Sequence, residues 1–136
     1  MISKKFKNID RRELYKRIFE VLNYTQDDKE NRLSKWEIEI LVEFMVLPKK
    51  NTGINYIFST GNKRRVMDSY NKIYGRKLDM TNLYKTLGTL RQKGLIVKDE
   101  DGLNYLSPYI TNKIMTNDTF TINISFEDIK EIDNEG

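Results

Sequence analysis

Apolar side chains recur along this chain with a helical period in four stretches and with strict strand alternation near the C-terminus. From Asp10 to Tyr24, Leu14, Ile18 and Leu22 stand four apart with Tyr15 and Phe19 beside them, which predicts an amphipathic helix. Asp10 and Glu13 fit its start as a cap, and Arg11, Arg12, Lys16 and Arg17 fall on the opposite, solvent-directed face. Residues 25–32 are polar and read as a loop. Ser34 and Glu37 then form a capping box, and Ile38, Leu41, Val42 and Met45 follow at i, i+3, i+4 and i+7. Trp36, in the first turn of that helix, is expected to lid the core, and Pro48 bars its continuation.

A loop with Gly53 and the segment "INYIF", a candidate short strand, leads to a third helix from about Asn62 to Tyr74. Ser59 or Thr60 can cap it. Val66, Tyr70 and Ile73 face inward, Met67 and Tyr74 flank them, and Gly75 supplies a left-handed C-terminal cap. Asp79 caps a fourth helix, about Met80 to Lys93, whose inward row is Leu83, Leu87 and Leu90. Gly94 stops it. "LIVKD" and "LNYLS" are then two strands about the turn dipeptide Asp101-Gly102, ended by Pro108. In "TFTINISF", Phe120, Ile122, Ile124 and Phe126 alternate with Thr119, Thr121, Asn123 and Ser125. A strand with such a face must cover the domain's own core or pair with another chain, so those four residues are candidate interface residues. The acidic "EDIKEIDNEG" after it is expected to fray.

Composition narrows the chemistry. The 136 residues include no cysteine and no histidine, which excludes disulfides, thiolate metal sites, cysteine nucleophiles and histidine acid–base catalysis. No P-loop pattern and no paired carboxylates in a glycine-rich setting are present. Glu37, Glu39 and Glu43 share a helix without a metal-ligand motif and are expected to be solvated. A non-enzymatic protein without a cofactor is the expectation. No apolar run approaches a membrane span, and no apolar segment follows the basic N-terminus as in a secretory signal, so a cytoplasmic or intravirion setting is expected. Alanine is absent, while Lys, Asn, Ile and Tyr supply 52 of the 136 residues, the mark of an AT-rich genome such as that of a phage or a low-GC bacterium.

Charge is unevenly placed. Residues 50–98 carry eleven cations and two carboxylates, and residues 99–136 carry two cations and nine carboxylates. The basic block is a candidate phosphate-binding surface, and the acidic one a solvated tail or a partner for the basic block of another copy.

Three helices followed by a hairpin is the order of a winged helix-turn-helix. The segment "LSKWEIEIL … NKRRVMDSYNKIYGRKLDMTNLYKTLGTLRQKGLIVKDEDGLNYLSP" resembles the MarR-like winged-helix superfamily, and "TLRQKGLI" is similar to its Leu-x-x-x-Gly-Leu-Ile/Val junction between recognition helix and wing. The resemblance covers about residues 33–110 and is strongest to small phage winged-helix proteins. It implies a mainly helical α+β fold: a basic N-terminal helix and loop over residues 1–32, the winged domain over 33–110, and a C-terminal β-strand arm with an acidic tail over 111–136.

With the leucine row inward, Thr81, Asn82, Lys85, Thr86, Thr89 and Gln92 are expected to project outward, where short polar side chains and a cation suit base edges and phosphates in a major groove. Lys63, Arg64, Arg65, Arg76 and Lys77, on the preceding helix and turn, are the candidate phosphate contacts. Gly88 admits close approach of a backbone, DNA's or that of another helix of the domain. Asp99, Glu100 and Asp101 at the hairpin tip oppose simple DNA binding, since carboxylates close to phosphates repel by about 1 kcal/mol each even at the dielectric constant of water. Two functions compete: a phage-type transcriptional regulator binding double-stranded DNA as a dimer or higher oligomer, and a virion adaptor, head–tail or capsid-associated, that uses the same fold and the acidic tip to bind other phage proteins or another copy.

Overall fold

A computed structural model describes residues 10–47 and 57–115, together with the backbone of two strands, 2–6 and 120–124. The described chain is α+β and mainly α: helices α1 (Arg11–Thr25), α2 (Lys35–Met45), α3 (Thr60–Tyr74) and α4 (Met80–Gln92), with strands β1 (Ile2–Phe6), β2 (Ile96–Lys98), β3 (Asn104–Leu106) and β4 (Phe120–Ile124).

Local chemistry sets the helix starts. The side chains of Asp10, Ser34, Ser59 and Asp79 accept from the backbone N–H of Arg12, Glu37, Asn62 and Asn82, which satisfies donors that a helix N-terminus leaves unpaired. The capping box of α2 is complete, because the Glu37 carboxylate also accepts from the Ser34 N–H at 2.9 Å. At the other end of α3, Gly75 turns into the left-handed region at φ 61°, a conformation that costs glycine nothing. Between the cap of α2 and the end of α1, residues 29–31 form a short 3₁₀ turn within the expected loop.

α2 is the central element. It packs on α1, α3 and α4, and every residue from Glu37 to Met45 is buried. Around it stand Leu14, Ile18 and Phe19 of α1, Val66 and Tyr70 of α3, and Leu83, Leu87 and Leu90 of α4. Ile57 and Phe58 close the core beside α3, and Phe58 meets the Phe44 ring at 4.8 Å between centroids. β2 and β3 form an antiparallel hairpin in which Ile96 pairs with Leu106, and both side chains turn into the core. Packing continues past residue 110: a π-helical turn, Ile110–Ile114, which the sequence pattern did not announce, buries Ile110, Ile114 and Met115.

The alternating C-terminal strand pairs within the chain. β4 runs antiparallel to β1, with Ile2 opposite Ile124 and Phe6 opposite Phe120. β1 is an addition to the expected architecture, in which residues 1–32 held only a helix and a loop. The side chains of Phe120, Ile122 and Ile124 lie outside the described residues, as do Phe126, Pro48, the first three residues of "INYIF" and the acidic tail.

Four expectations need correction. Ile73 is 46% exposed, because the inward row of α3 is Asn62, Val66 and Tyr70 at four-residue spacing. Glu39 and Glu43 are 0% and 2% exposed, not solvated, because α2 is covered on every side. Thr86 is 6% exposed and faces α2, where its hydroxyl oxygen accepts from the Trp36 indole N–H at 2.8 Å. A Cβ at Gly88 would meet nothing within 4 Å, so among the described residues no other helix approaches closely there, which leaves the other expected approach, that of a DNA backbone.

Candidate nucleic-acid interface

Burying three glutamates on α2 obliges other elements to neutralise them, since an unpaired carboxylate in a core is costly. Glu43 accepts from the Arg12 guanidinium at 2.6 and 3.2 Å, joining α1 to α2 through a forked pair that holds the Arg12 pKa above its usual value. Glu37 accepts from the Lys93 ammonium at 2.8 and 3.0 Å, and Lys93 also donates to the Arg32 carbonyl. Burial pushes the Glu37 pKa up, but the bonds from Lys93 and from the Ser34 cap outweigh it and hold the carboxyl below its usual range. Glu39 accepts from the Tyr70 hydroxyl at 3.3 Å and lies 3.8 Å from the Arg76 guanidinium, which in turn donates to Tyr70 at 3.0 Å.

These pairs sort the cations. Arg76, expected on the phosphate-contacting surface, is instead tied to Glu39 and Tyr70. On α1, Arg12 is held by Glu43 and Arg17 by Glu13, while Lys16 stands 5.3 Å from the centre of the Tyr74 ring. By contrast Arg64, Arg65, Lys77, Lys85 and Arg91 stand in no ion pair among the described residues. The first three and Lys85 were singled out from sequence.

α4 carries three rows on its outer side. Thr81, Lys85, Gly88 and Gln92 follow one another at i, i+4, i+7 and i+11, and their three side chains are exposed. Asn82, exposed, and Thr89, partly buried, form the row to one side; the Thr89 hydroxyl donates to the Lys85 carbonyl. Tyr84 and Arg91 form the row to the other side. Neither was singled out from sequence, although both fall on the polar phase of the helix, and Tyr84 is 51% exposed.

The Tyr84 row faces α3 and the hairpin. Lys63 of α3, partly buried, sets its ammonium 4.6 Å from the centre of the Tyr84 ring. Beside it a cleft of about 290 Å³ opens between Phe58, Ser59 and Lys63 on one wall and Gly102, Leu103 and Asn104 on the other. It adjoins a smaller hollow that Lys63 shares with Tyr84, Leu87, Arg91 and Asn104.

The acidic tip is built by its own first residue. The Asp99 carboxylate accepts from the backbone N–H of Asp101 and Leu103, both at 2.9 Å, and Gly102 takes φ 79° to close the turn. Glu100 and Asp101 are exposed, so two of the three tip carboxylates are offered outward and one is bound inside the turn. No group of three or more metal-ligating side chains stands together among the described residues. No described helix is long and apolar enough to cross a membrane. Comparison of the chain with protein-family models, with curated proteins and with solved structures finds no match.

Proposed function

We propose that this chain is a winged helix-turn-helix protein that binds double-stranded DNA, with α4 as the helix that enters the major groove, in the manner of a phage transcriptional regulator. The observation that carries this reading is the sorting of cations. Carboxylates of α2 neutralise Arg12, Arg76 and Lys93, while Arg64, Arg65, Lys77 and Lys85 keep their charge for an outside partner. A polyanion fits such a surface. In this reading Asn82, Lys85 and Gln92 reach base edges, Thr81 and Thr89 flank them, and Lys63, Arg64, Arg65 and Lys77 meet phosphates. Thr86 has no part in it, being engaged inside the domain, and Arg76, although exposed, is tied to Glu39 and Tyr70. The hairpin tip stands away from the phosphates, since Glu100 and Asp101 would repel them.

The adaptor reading drew on the opposed charge blocks and on the unpaired apolar strand at Phe120–Phe126. β4 has a backbone partner in β1 over 120–124, which weakens the second motive and leaves the first. A titration of duplex DNA at two salt concentrations decides between them. Binding that weakens steeply with salt is expected. Replacing Arg64, Arg65 and Lys85 together by alanine should lower affinity and flatten the salt slope by about 0.9 for each phosphate that the variant no longer neutralises. Absence of duplex binding at low salt would overturn the proposal.

A further inference from the structure

The hairpin ends in a firm knob. Asp99 ties the turn from inside: its carboxylate accepts from the Asp101 and Leu103 N–H groups, its own N–H donates to the Leu103 carbonyl, and its carbonyl accepts from the Gly102 N–H. What remains outward is Glu100, Asp101 and Leu103, the last 48% exposed. Neither Glu100 nor Asp101 stands in an ion pair among the described residues. The outer face of α3 carries the opposite set. Arg65, Ser69 and Ile73 follow one another at four-residue spacing, with Lys72 beside Ile73. Arg65 and Lys72 are exposed and in no ion pair among the described residues, Ile73 is 46% exposed, and Asp68 is the one carboxylate of that helix. Either apolar side chain alone would be ordinary on a surface. Two carboxylates beside one aliphatic side chain, and two cations beside another, are complementary.

Within one chain the two sets are kept apart. The hairpin is seated at the start of α3, where Gly102, Leu103 and Asn104 share a cleft with Ser59 and Lys63. Ile73 lies ten residues beyond Lys63, roughly 15 Å further along the helix. We propose that the hairpin tip of one copy docks on the α3 face of a second copy, Glu100 and Asp101 against Arg65 and Lys72, and Leu103 against Ile73. Opposite charges steer the encounter, and the prebuilt turn loses little freedom on docking. Knob and face are different surfaces, so each docked pair still offers one of each, and association runs head to tail. A docked tip covers Arg65, so self-association and duplex binding compete for that cation. The docking itself does not rest on duplex binding.

The test is sedimentation velocity of the full chain, without nucleic acid, over a concentration series at low salt. Average mass is expected to climb past twice the monomer mass as concentration rises, and to fall back as salt is added. Two charge-reversed variants, Glu100→Lys with Asp101→Lys and Arg65→Glu with Lys72→Glu, should each stay monomeric over the same range. Their thermal melts should stay in place, since all four side chains are exposed. Mixing the two variants should restore association, because each tip then finds a face of opposite charge, a recovery that a misfolded variant could not give. A wild-type chain that stays monomeric, association that survives both reversals, or variants that fail to recombine on mixing would overturn the proposal. Failure of the duplex titration would leave this result untouched.

Discussion

Gly88 sits where helix propensity argues against it. Mid-helix glycine is less favourable than alanine by roughly 0.5–1 kcal/mol, and here the space a methyl group would fill is empty. Gly88→Ala is therefore expected to stabilise the fold by about that amount, read as a higher midpoint in urea. If α4 enters a groove, the same substitution lowers duplex affinity, so stability and binding move in opposite directions. Thr86 offers a second single-residue probe. It is the acceptor for the one tryptophan in the chain, so Thr86→Val should cost about 1 kcal/mol and shift Trp36 fluorescence as the indole N–H loses its partner. These two residues also mark what one sequence can reveal. The caps at Asp10, Ser34, Ser59 and Asp79 were readable because each depends on neighbours within a few positions. Thr86 was misplaced because its partner lies fifty residues away, and a threonine on the flank of an apolar row looks like surface until its neighbour is known.

At the scale of elements, α2 explains most of what the pattern concealed. Its apolar row was legible, but amphipathic periodicity assumes that a helix has a wet side, and α2 has none. Glu39 and Glu43 thus became core residues whose partners, Arg76 and Arg12, come from other helices or turns. Removing one member strands the other. Arg12→Ala should cost about 2–3 kcal/mol, toward the low end for buried pairs because Arg12 stays partly open to solvent, and a chemical denaturation curve measures it. Glu37 ties α2 to the end of α4 and gives the fold an acid-sensitive joint. Its pKa is lower in the folded than in the unfolded chain, so its contribution is complete above the ordinary glutamate value of about 4.3 and fades as pH falls through the folded value. Glu37→Gln should lower stability at neutral pH and flatten this part of the acid limb in thermal melts recorded from pH 6 to pH 3.

Taken as a whole molecule, the chain separates its charges by function of place. Among the described residues, Arg12, Arg76 and Lys93 meet carboxylates of α2, while Arg64, Arg65, Lys77 and Lys85 on α3, α4 and the turn between them stand in no ion pair. Net charge alone, +4, would not have revealed this. Its consequence is that salt should affect the two sets differently. Added salt screens the exposed set and weakens any polyanion complex, while the Glu43 pair, whose carboxylate is buried, loses less. The melting temperature is therefore expected to vary far less between low and moderate salt than duplex affinity does.

The pairing of β1 with β4 has a consequence for the order of events in synthesis. Ile2 meets Ile124, and every residue between them must be made before that pair can form. The contacts among α1, α2, α3 and α4 span shorter loops and close sooner, since long loops are slow to close. Residues 2–6 thus wait, their backbone N–H and C=O groups hydrogen-bonded to water rather than to a strand partner, until residues 120–124 are made. During that interval residues 2–6 are free to pair with any extended peptide that arrives first, including the β4 segment of a neighbouring nascent chain.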